Sequence, residues 1–570
     1  MGKFGLKIKN IEASTLFGYN LGVRSHYEYK NAMFTNSLFY DFLMENGMET
    51  CKDRSTRDII CLEFNYGSRS YEDEIKHLHN QIAKCDPENT EKLEKFKHYL
   101  SIAEENADKY MGLKTDEIRE MYYRDGVDVP YVTRDKQGGI KKTEILHYRM
   151  LYRSTGKAKK GTCMFIVDRL YETALNYLRM GLKLPDENAP IVEISAYSPL
   201  VASTIVGKIK IEPENILILK DVDSFCKKDV ISIETDENKH CVAKSRQDYR
   251  LKNTMFDGQA LIDSSIFPHW ANGYILLRHH FCKMAAFNSN IQLFFQDYFG
   301  DDYETAKVTD MFGNEHCAKD IKLITTDNAM KWLKFDVSYD YWCDRVHENG
   351  SNFGIVKTAH RSKLGDSQKM SYQMVNALDL DSMDKIVKQT RDYVMSLKSD
   401  DDAFLEYLDA NKNFSNDYEC LLALVNQDRD FLRSEYFRDR KSAIINAHIK
   451  KVRSGKLIQN ADNLVIVGSP YAMLLHAIGE DVGKDNTFYD EDGCIQCYTE
   501  RFGSNEYLAA FRSPFNSRNN LNYLHNVYTK NLRRYFNFGE QIIAVNMLNT
   551  DFQDRNNGLT SGPVQRKRCS

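Results

Sequence analysis

The residues whose types could bind a metal ion or a phosphate group are concentrated towards the end of the sequence. Arg512 precedes Ser513-Pro514, and the proline ring would fix the turn that aims the arginine. A hydrophobic stretch, 541–545, then leads to Asp551 and Asp554. Mg²⁺ prefers carboxylate oxygens, so both aspartates are candidate metal ligands. Alternating acidic residues would place their carboxylates on one side of an ion pair. Asp551 and Asp554 are spaced more widely than alternating residues, which favours a structural role for them beside a metal site.

A second group of candidate residues is basic. Segment 148–168 has the pattern strand, basic loop, strand, and its cations are Arg153, Lys157, Lys159 and Lys160. Glycines in the loop would let its backbone approach phosphates closely, which predicts a nucleic-acid contact. The loop is not a Walker A motif, because the Gly-Lys-Ser/Thr spacing is absent. An exposed, solubilising hairpin is the alternative interpretation.

The cysteines do not predict a metal site. Thirteen are scattered along the chain, without the spacing of a secreted disulfide framework. One Cys-x-x-Cys motif, 494–497, has no second pair to complete the four ligands of a zinc site. We interpret Cys494 and Cys497 as reduced cysteines in a strand.

Composition limits the class of protein. A chain of 570 residues is too long for one core, so two to four domains are expected. The net charge of −4 excludes a wholly basic nucleic-acid coat but allows a locally basic channel. No apolar run approaches the ~20 residues needed to span a bilayer. The N-terminus lacks an apolar signal core, so a cytoplasmic location is expected.

The hydrophobic pattern positions these residues on a mixed set of elements. It predicts a helical hairpin over 71–110 with its turn at Asp86-Pro87, and a helix from Asp168 to about Met180. Strands are predicted to dominate 191–335, including one at 290–295. A linker is predicted over 349–365, helices over 367–408 and 417–451, and strands from 457 onwards.

Several landmarks follow one another in a fixed order, and the order carries more information than any one of them. They are Asp257-Gly258-Gln259, Gln292 in 290–295, Lys307, the segment 321–335 with Lys331 and Lys334, Gln373 in 369–378, 463–470, Arg512-Ser513-Pro514 and 546–558. This series resembles the cellular RNA-dependent RNA polymerases of RNA silencing and the related single-chain phage RNA polymerases. The resemblance covers about 370 residues. Lys307 lacks the adjacent glycine of the family pattern, and Gln373 follows a tyrosine where the family has arginine.

The resemblance implies an α+β, multi-domain chain with two double-psi β-barrels. It divides the chain into a mixed N-terminal region (1–190), a first barrel (191–340), a linker and helical connector (341–454), a second barrel (455–558) and a disordered tail (559–570).

The resemblance also implies the site residues. Lys307, Lys331, Lys334 and Arg512 would neutralise a triphosphate, and Asp551 and Asp554 would belong to the Mg²⁺ site. Gln292 and Gln373 join the four basic loop residues as nucleic-acid contacts. The partners would be a nucleic-acid template and nucleoside triphosphates. The reaction would be template-directed RNA synthesis by two-metal nucleotidyl transfer.

The family pattern predicts three alternating aspartates after Gly558, where this sequence continues as Leu559-Thr560-Ser561-Gly562-Pro563. We therefore expect a truncated, inactive polymerase whose second barrel is incomplete. The alternative is a non-enzymatic nucleic-acid-binding or structural protein of a phage or mobile element.

Overall fold

The computed structural model divides the chain into two compact units. It describes residues 5–22, 24, 26–64, 71–105, 115–134, 140–153, 162–182, 191–235, 237, 239–370, 381–413, 416–488, 494–511, 521–552 and 562–566. The first unit contains Met1–Lys210, Leu277–Lys283 and Lys331–Val356, and the second contains Ile211–Leu276, Met284–Met330 and Lys357–Ser570. In the described part of the chain, no helix has the length and apolar character needed to cross a membrane.

The N-terminal part of the first unit is built on a six-stranded sheet. Its strands are β1 (Leu6–Glu12), β2 (Tyr29–Thr35), β3 (Ser55–Glu63), β4 (Val127–Arg134), β5 (Ile140–Arg153) and β6 (Thr162–Val167). Their order is β2-β1-β3-β6-β5-β4. Consecutive residues of β3, from Ile59 to Leu62, are all buried, as expected of a strand covered on both faces.

Seven helices accompany this sheet in the described residues. They are α1 (Ala13–Asn20), α2 (Leu38–Glu45), α3 (Tyr71–Ala83), α4 (Thr90–Glu105), α5 (Thr115–Asp125), α6 (Asp168–Leu178) and α7 (Ile191–Tyr197). Strand β7 (Gly207–Lys210) follows. Helices α3 and α4 confirm the predicted hairpin. Helix α6, strand β5 and strand β6 confirm the predictions for 148–180, although the basic loop between the strands lies outside the described residues.

The first β domain belongs to the second unit for most of its length. Its elements are β8 (Ile216–Leu219), β9 (Asp223–Thr235), β10 (Cys241–Thr254), β11 (Gln259–Asp263), β12 (Tyr274–His279), β13 (Cys282–Ser289), α8 (Ile291–Phe299), β14 (Lys307–Thr309), β15 (Glu315–Cys317) and β16 (Leu323–Thr326). Strands β13, β11, β16 and β8 are successive neighbours, with β11 parallel to β13 and antiparallel to β16. Strands β9 and β10 form a long, separate hairpin.

The structure differs from three sequence predictions in this region. The predicted strand at 290–295 is helix α8, because Ile291, Phe294 and Phe295 are buried at helical spacing, which a short apolar run does not distinguish from a strand. The predicted linker 349–365 contains strand β17 (Asn352–Thr358), which pairs with β7 in the first unit and follows α9 (Tyr339–Glu348). A closed first barrel was expected, but within the described residues its strands belong to an open sheet.

The helical connector has its own apolar core. It contains β18 (Gln368–Lys369), α10 (Met383–Ser399), α11 (Asp401–Asn411), α12 (Tyr418–Gln427) and α13 (Glu435–Arg453). Leu397, Phe404, Leu421 and Ile445 are among its buried residues. The helices predicted for this region are confirmed from Met383 onwards, whereas Gln373 lies outside the described residues.

The second β domain is a closed barrel. Its elements are β19 (Ile458–Gln459), β20 (Ala461–Gly468), α14 (Pro470–Ala477), β21 (Ile495–Tyr498), β22 (Tyr507–Phe511), β23 (Leu521–Asn526), α15 (Lys530–Tyr535), β24 (Ile542–Val545) and β25 (Gly562–Arg566). The barrel order is β20-β24-β21-β23-β22-β25. Cys497 lies buried in β21 with a free thiol, as interpreted, whereas Cys494 directly precedes that strand.

Strand β25 corrects a prediction about the end of the barrel. Residues after Gly558 were expected to be unable to finish a strand, yet β25 pairs antiparallel with both β20 and β22. Ladder hydrogen bonds use backbone N–H and C=O groups, so a sequence without apolar alternation can still supply them. Whether the two domains have the double-psi crossing stays a prediction.

Candidate functional site

The loop that follows β24, residues 546–552, is folded onto itself by local hydrogen bonds. Leu548 N donates to Asn546 Oδ1 at 3.0 Å, and Thr550 Oγ1 donates to Asn546 O at 2.8 Å. Asn549 has a φ of 57°, a left-handed conformation that asparagine tolerates better than most residues. The loop is therefore a compact turn that presents Asp551 at its end.

Two serines fix this loop from different directions. Ser224, near the start of β9, donates to Met547 O at 3.0 Å and accepts from Asn549 N at 2.7 Å. Ser469, directly after β20, accepts from Met547 N at 2.9 Å. The position of the loop is thus set by the first β domain through Ser224 and by the second through Ser469.

A buried glutamine joins the two β domains beside the loop. Gln259 Nε2 donates to Gly468 O at 2.9 Å, and Gly468 N donates to Gln259 Oε1 at 2.8 Å. A Cβ atom on residue 468 would lie 2.6 Å from Met547 Cγ and 3.0 Å from Met255 O. Only glycine allows this close approach without displacing its neighbours.

Among the described residues of the loop, Asp551 is the acidic one, and it forms an ion pair with a lysine. Lys228 Nζ of β9 lies 3.5 Å from Asp551 Oδ2, and only 12% of the aspartate side chain is exposed. Two-metal nucleotidyl transfer needs several oxygen ligands around a pair of ions. One carboxylate beside a lysine does not form that ligand set, so the described residues of this loop do not by themselves complete a two-metal site. Asp554 lies outside the described residues.

The candidate lysines are not brought together within one unit. Lys307 is in β14 of the second unit, where Glu315 Oε2 lies 2.7 Å from its Nζ and raises the pKa of the lysine. Lys331 and Lys334 belong to the first unit. Glu193 Oε1 lies 3.2 Å from Lys334 Nζ and raises the pKa of that lysine. All three lysine roles stay predictions, and Arg512 lies outside the described residues.

The predicted nucleic-acid contacts are only partly described. Gln292, on α8, donates through Nε2 to Ala318 O at 3.1 Å and accepts from Tyr303 Oη at 2.6 Å. Its amide therefore holds the chain around β14 and β15 in place. Arg153 ends β5, opposite Cys163 of β6. Lys157, Lys159 and Lys160 lie outside the described residues, as does Gln373.

The landmarks 257–259 and 463–470 include Gln259 and Gly468, but the sequence assigns no role to either residue or to Ser224. A usable signal was present at 468–470, where Gly-Ser-Pro directly follows an apolar strand. Glycine, then a residue with a φ of 34° at Ser469, then proline at the start of α14 is typical of a sharp strand-to-helix turn. Gln259 gave no comparable signal.

Comparison with solved structures relates the fold of this chain to that of a polymerase. The chain is similar to the RNA-dependent RNA polymerase QDE-1 from Thielavia terrestris, with a TM-score of 0.52 and 11% sequence identity. The fold is RNA-dependent RNA polymerase-like. The match covers 99% of this chain and 53% of the polymerase, so this chain spans about half of that protein's length. No protein-family model and no curated protein matches the sequence.

Proposed function

We propose that this chain is a nucleic-acid polymerase-like protein whose second unit binds a nucleic-acid template and nucleoside triphosphates. The reaction of the proposed class is template-directed RNA synthesis. The observation that carries the proposal is the loop after β24, which Ser224 and the Gln259–Gly468 pair fix between two β domains. The RNA-dependent RNA polymerase-like fold supports it.

The chemistry of such a site depends on compensating negative charge. Nucleotidyl transfer builds charge on a phosphoryl group in an in-line displacement, and fixed cations stabilise it. We propose that Lys307 and Arg512, which both belong to the second unit, contribute this positive charge. Asp551 and Asp554 are the proposed contributors to Mg²⁺ binding.

We expect this chain to retain nucleic-acid binding while lacking efficient catalysis. The loop 546–558 contains Asp551 and Asp554 as its acidic residues, without alternating carboxylates. We therefore propose that the 570-residue protein binds nucleic acid but synthesises little RNA by itself. A cytoplasmic location is part of the same proposal.

The decisive experiment is a titration of fluorescently labelled single-stranded RNA and DNA with the full chain at several salt concentrations. Binding that weakens steeply with salt is expected, because each neutralised phosphate releases counterions. Failure to bind either strand at low salt would contradict the proposal. Homo-oligomers that bind no nucleic acid would favour the alternative of a structural protein.

A further inference from the structure

A basic pocket of about 550 Å³ lies within the second unit, between the helical connector and the second β domain. Its basic lining residues are Lys357, His360, Arg361, Lys363, Lys369 and Lys456. Tyr407 and Asn411 of α11 form another part of the wall, and Asn463 and Val465 of β20 complete it. The volume is within the range of ordinary ligand sites.

The charge of the basic pocket is one-sided. Among the described residues that line it there is no aspartate or glutamate. Arg361 is partly neutralised, since its guanidinium lies 2.9 Å from Asp366 Oδ1 and 3.6 Å from Glu540 Oε2. Because basic side chains line the pocket and no described carboxylate does, an anion in the pocket would be stabilised.

Lys369 adds an independent argument, because it is half-buried. Burial lowers the pKa of its ammonium group, and the nearby Lys451 lowers it further. Removing a charged ammonium from water is costly unless an opposite charge or hydrogen-bond acceptors replace the water. A phosphate oxygen in the pocket would supply both.

The pocket shares a strand with the candidate site. Asn463 and Val465 face the pocket from β20, while Leu464 and Ile466 point into the barrel core. The same strand ends at Gly468, five residues after Asn463, which corresponds to ~17 Å along an extended chain. A ligand that reaches from the pocket towards the loop after β24 must therefore be an extended chain of several repeating units.

We infer that the basic pocket binds consecutive phosphates of a single-stranded nucleic acid. The exposed cations Lys357, Arg361 and Lys363 come from one short segment and would contact the outer phosphates, and Lys369 the innermost one. Tyr407 lines the same pocket and would contact a base. This inference rests on the proposed function and names where the strand is held.

The test measures how the affinity for a labelled ten-nucleotide RNA depends on salt. Each phosphate contact on a single strand contributes about −0.7 to the slope of log K against log salt concentration. The double variant Lys363→Ala/Lys369→Ala should therefore reduce the steepness of the slope by about 1.4, which is about sevenfold in relative affinity between 50 and 200 mM salt. Lys363→Ala alone, at an exposed position, should reduce it by about 0.7 even if the double variant folds poorly. Lys398→Ala, an exposed lysine at the end of α10, is the matched control and should leave the slope unchanged.

The possible outcomes distinguish a failure of this inference from a failure of the proposed function. If the unmodified chain binds RNA and the pocket variants keep its slope, the pocket assignment is wrong while the proposed function stands. If the unmodified chain binds no RNA at low salt, both are wrong. If ATP displaces the RNA at concentrations similar to the RNA itself, and does so only with the pocket intact, the pocket is a mononucleotide site and the strand assignment is overturned.

Discussion

Gln259 and Gly468, 209 residues apart in the sequence, exchange two hydrogen bonds inside the second unit. The glutamine side chain presents a donor and an acceptor to the backbone of a single residue, as a neighbouring strand would. Gln259 is 1% exposed, so water cannot replace these bonds. Because Gly468 also contacts Met547 closely, this pair sets the distance between strand β11 and the loop after β24.

The first prediction concerns Gln259→Leu. Losing both hydrogen bonds should destabilise the second unit by about 2–4 kcal/mol, since buried polar groups would lose their partners. The measurement is the thermal unfolding midpoint. Gln296→Leu, at an exposed position on α8, is the control and should change the midpoint little. Equal midpoints for the two variants would show that the pair does not hold the domains together.

The second prediction concerns Ser224→Ala. The hydroxyl of Ser224 bonds to both Met547 and Asn549, so its removal should cost about 1–3 kcal/mol and loosen the loop. Hydrogen exchange at the Asn549 amide should become faster. Ser245→Ala, at an exposed position in the same hairpin, should change neither quantity. An Asn549 amide that exchanges at its original rate would contradict this account of the loop.

The third prediction concerns Asp551 and Mg²⁺. With Lys228 as its described ion-pair partner, Asp551 should bind Mg²⁺ weakly, and templated nucleotide incorporation by the 570-residue chain should stay near background. Asp551→Ala should therefore change incorporation no more than Asp320→Ala, a control at an exposed position. Robust Mg²⁺-dependent synthesis that Asp551→Ala alone abolishes would establish Asp551 as a metal ligand.

The sequence was most informative where a pattern is local. Asp86-Pro87 separates two helically spaced runs, and α3 and α4 end and begin on either side of it. Helix α6 begins at Asp168, where helical spacing replaces a strand pattern. These predictions succeed because helix periodicity and turn residues act over a few positions.

The sequence was less informative where partners are distant or the run is short. The apolar residues of 290–295 are compatible with either a strand or a helix. Only the packing of the segment in the folded domain determines that it forms helix α8. Strand β25 depends on backbone pairing with β20 and β22, and its side-chain pattern does not predict that pairing. The Gln259–Gly468 pair needs two domains to meet, so no pattern around either residue could reveal it.

The last prediction is a pH dependence in the first unit. His279 and His280 are buried next to each other, with ring centroids 5.2 Å apart, and His280 packs edge-on against Tyr177. Burial lowers the pKa of His279 to about 3 and that of His280 well below its ordinary value, the latter also because His279 and Arg345 lie nearby. Both imidazoles are therefore neutral in the folded protein at neutral pH.

The sign follows from where each state binds protons. Above the unfolded pKa of about 6.5 neither state is protonated, and these histidines add no pH dependence. As pH falls below 6.5, the unfolded histidines bind protons while folded His279 stays neutral until about pH 3. Stability should thus fall by about 1.4 kcal/mol per pH unit for each histidine across this window. His279→Phe should flatten the decrease in unfolding midpoint between pH 6.5 and 4, whereas His269→Gln, at an exposed position, should leave it unchanged. An unaltered pH profile in His279→Phe would show that this histidine is protonated in the folded chain or is not buried in solution.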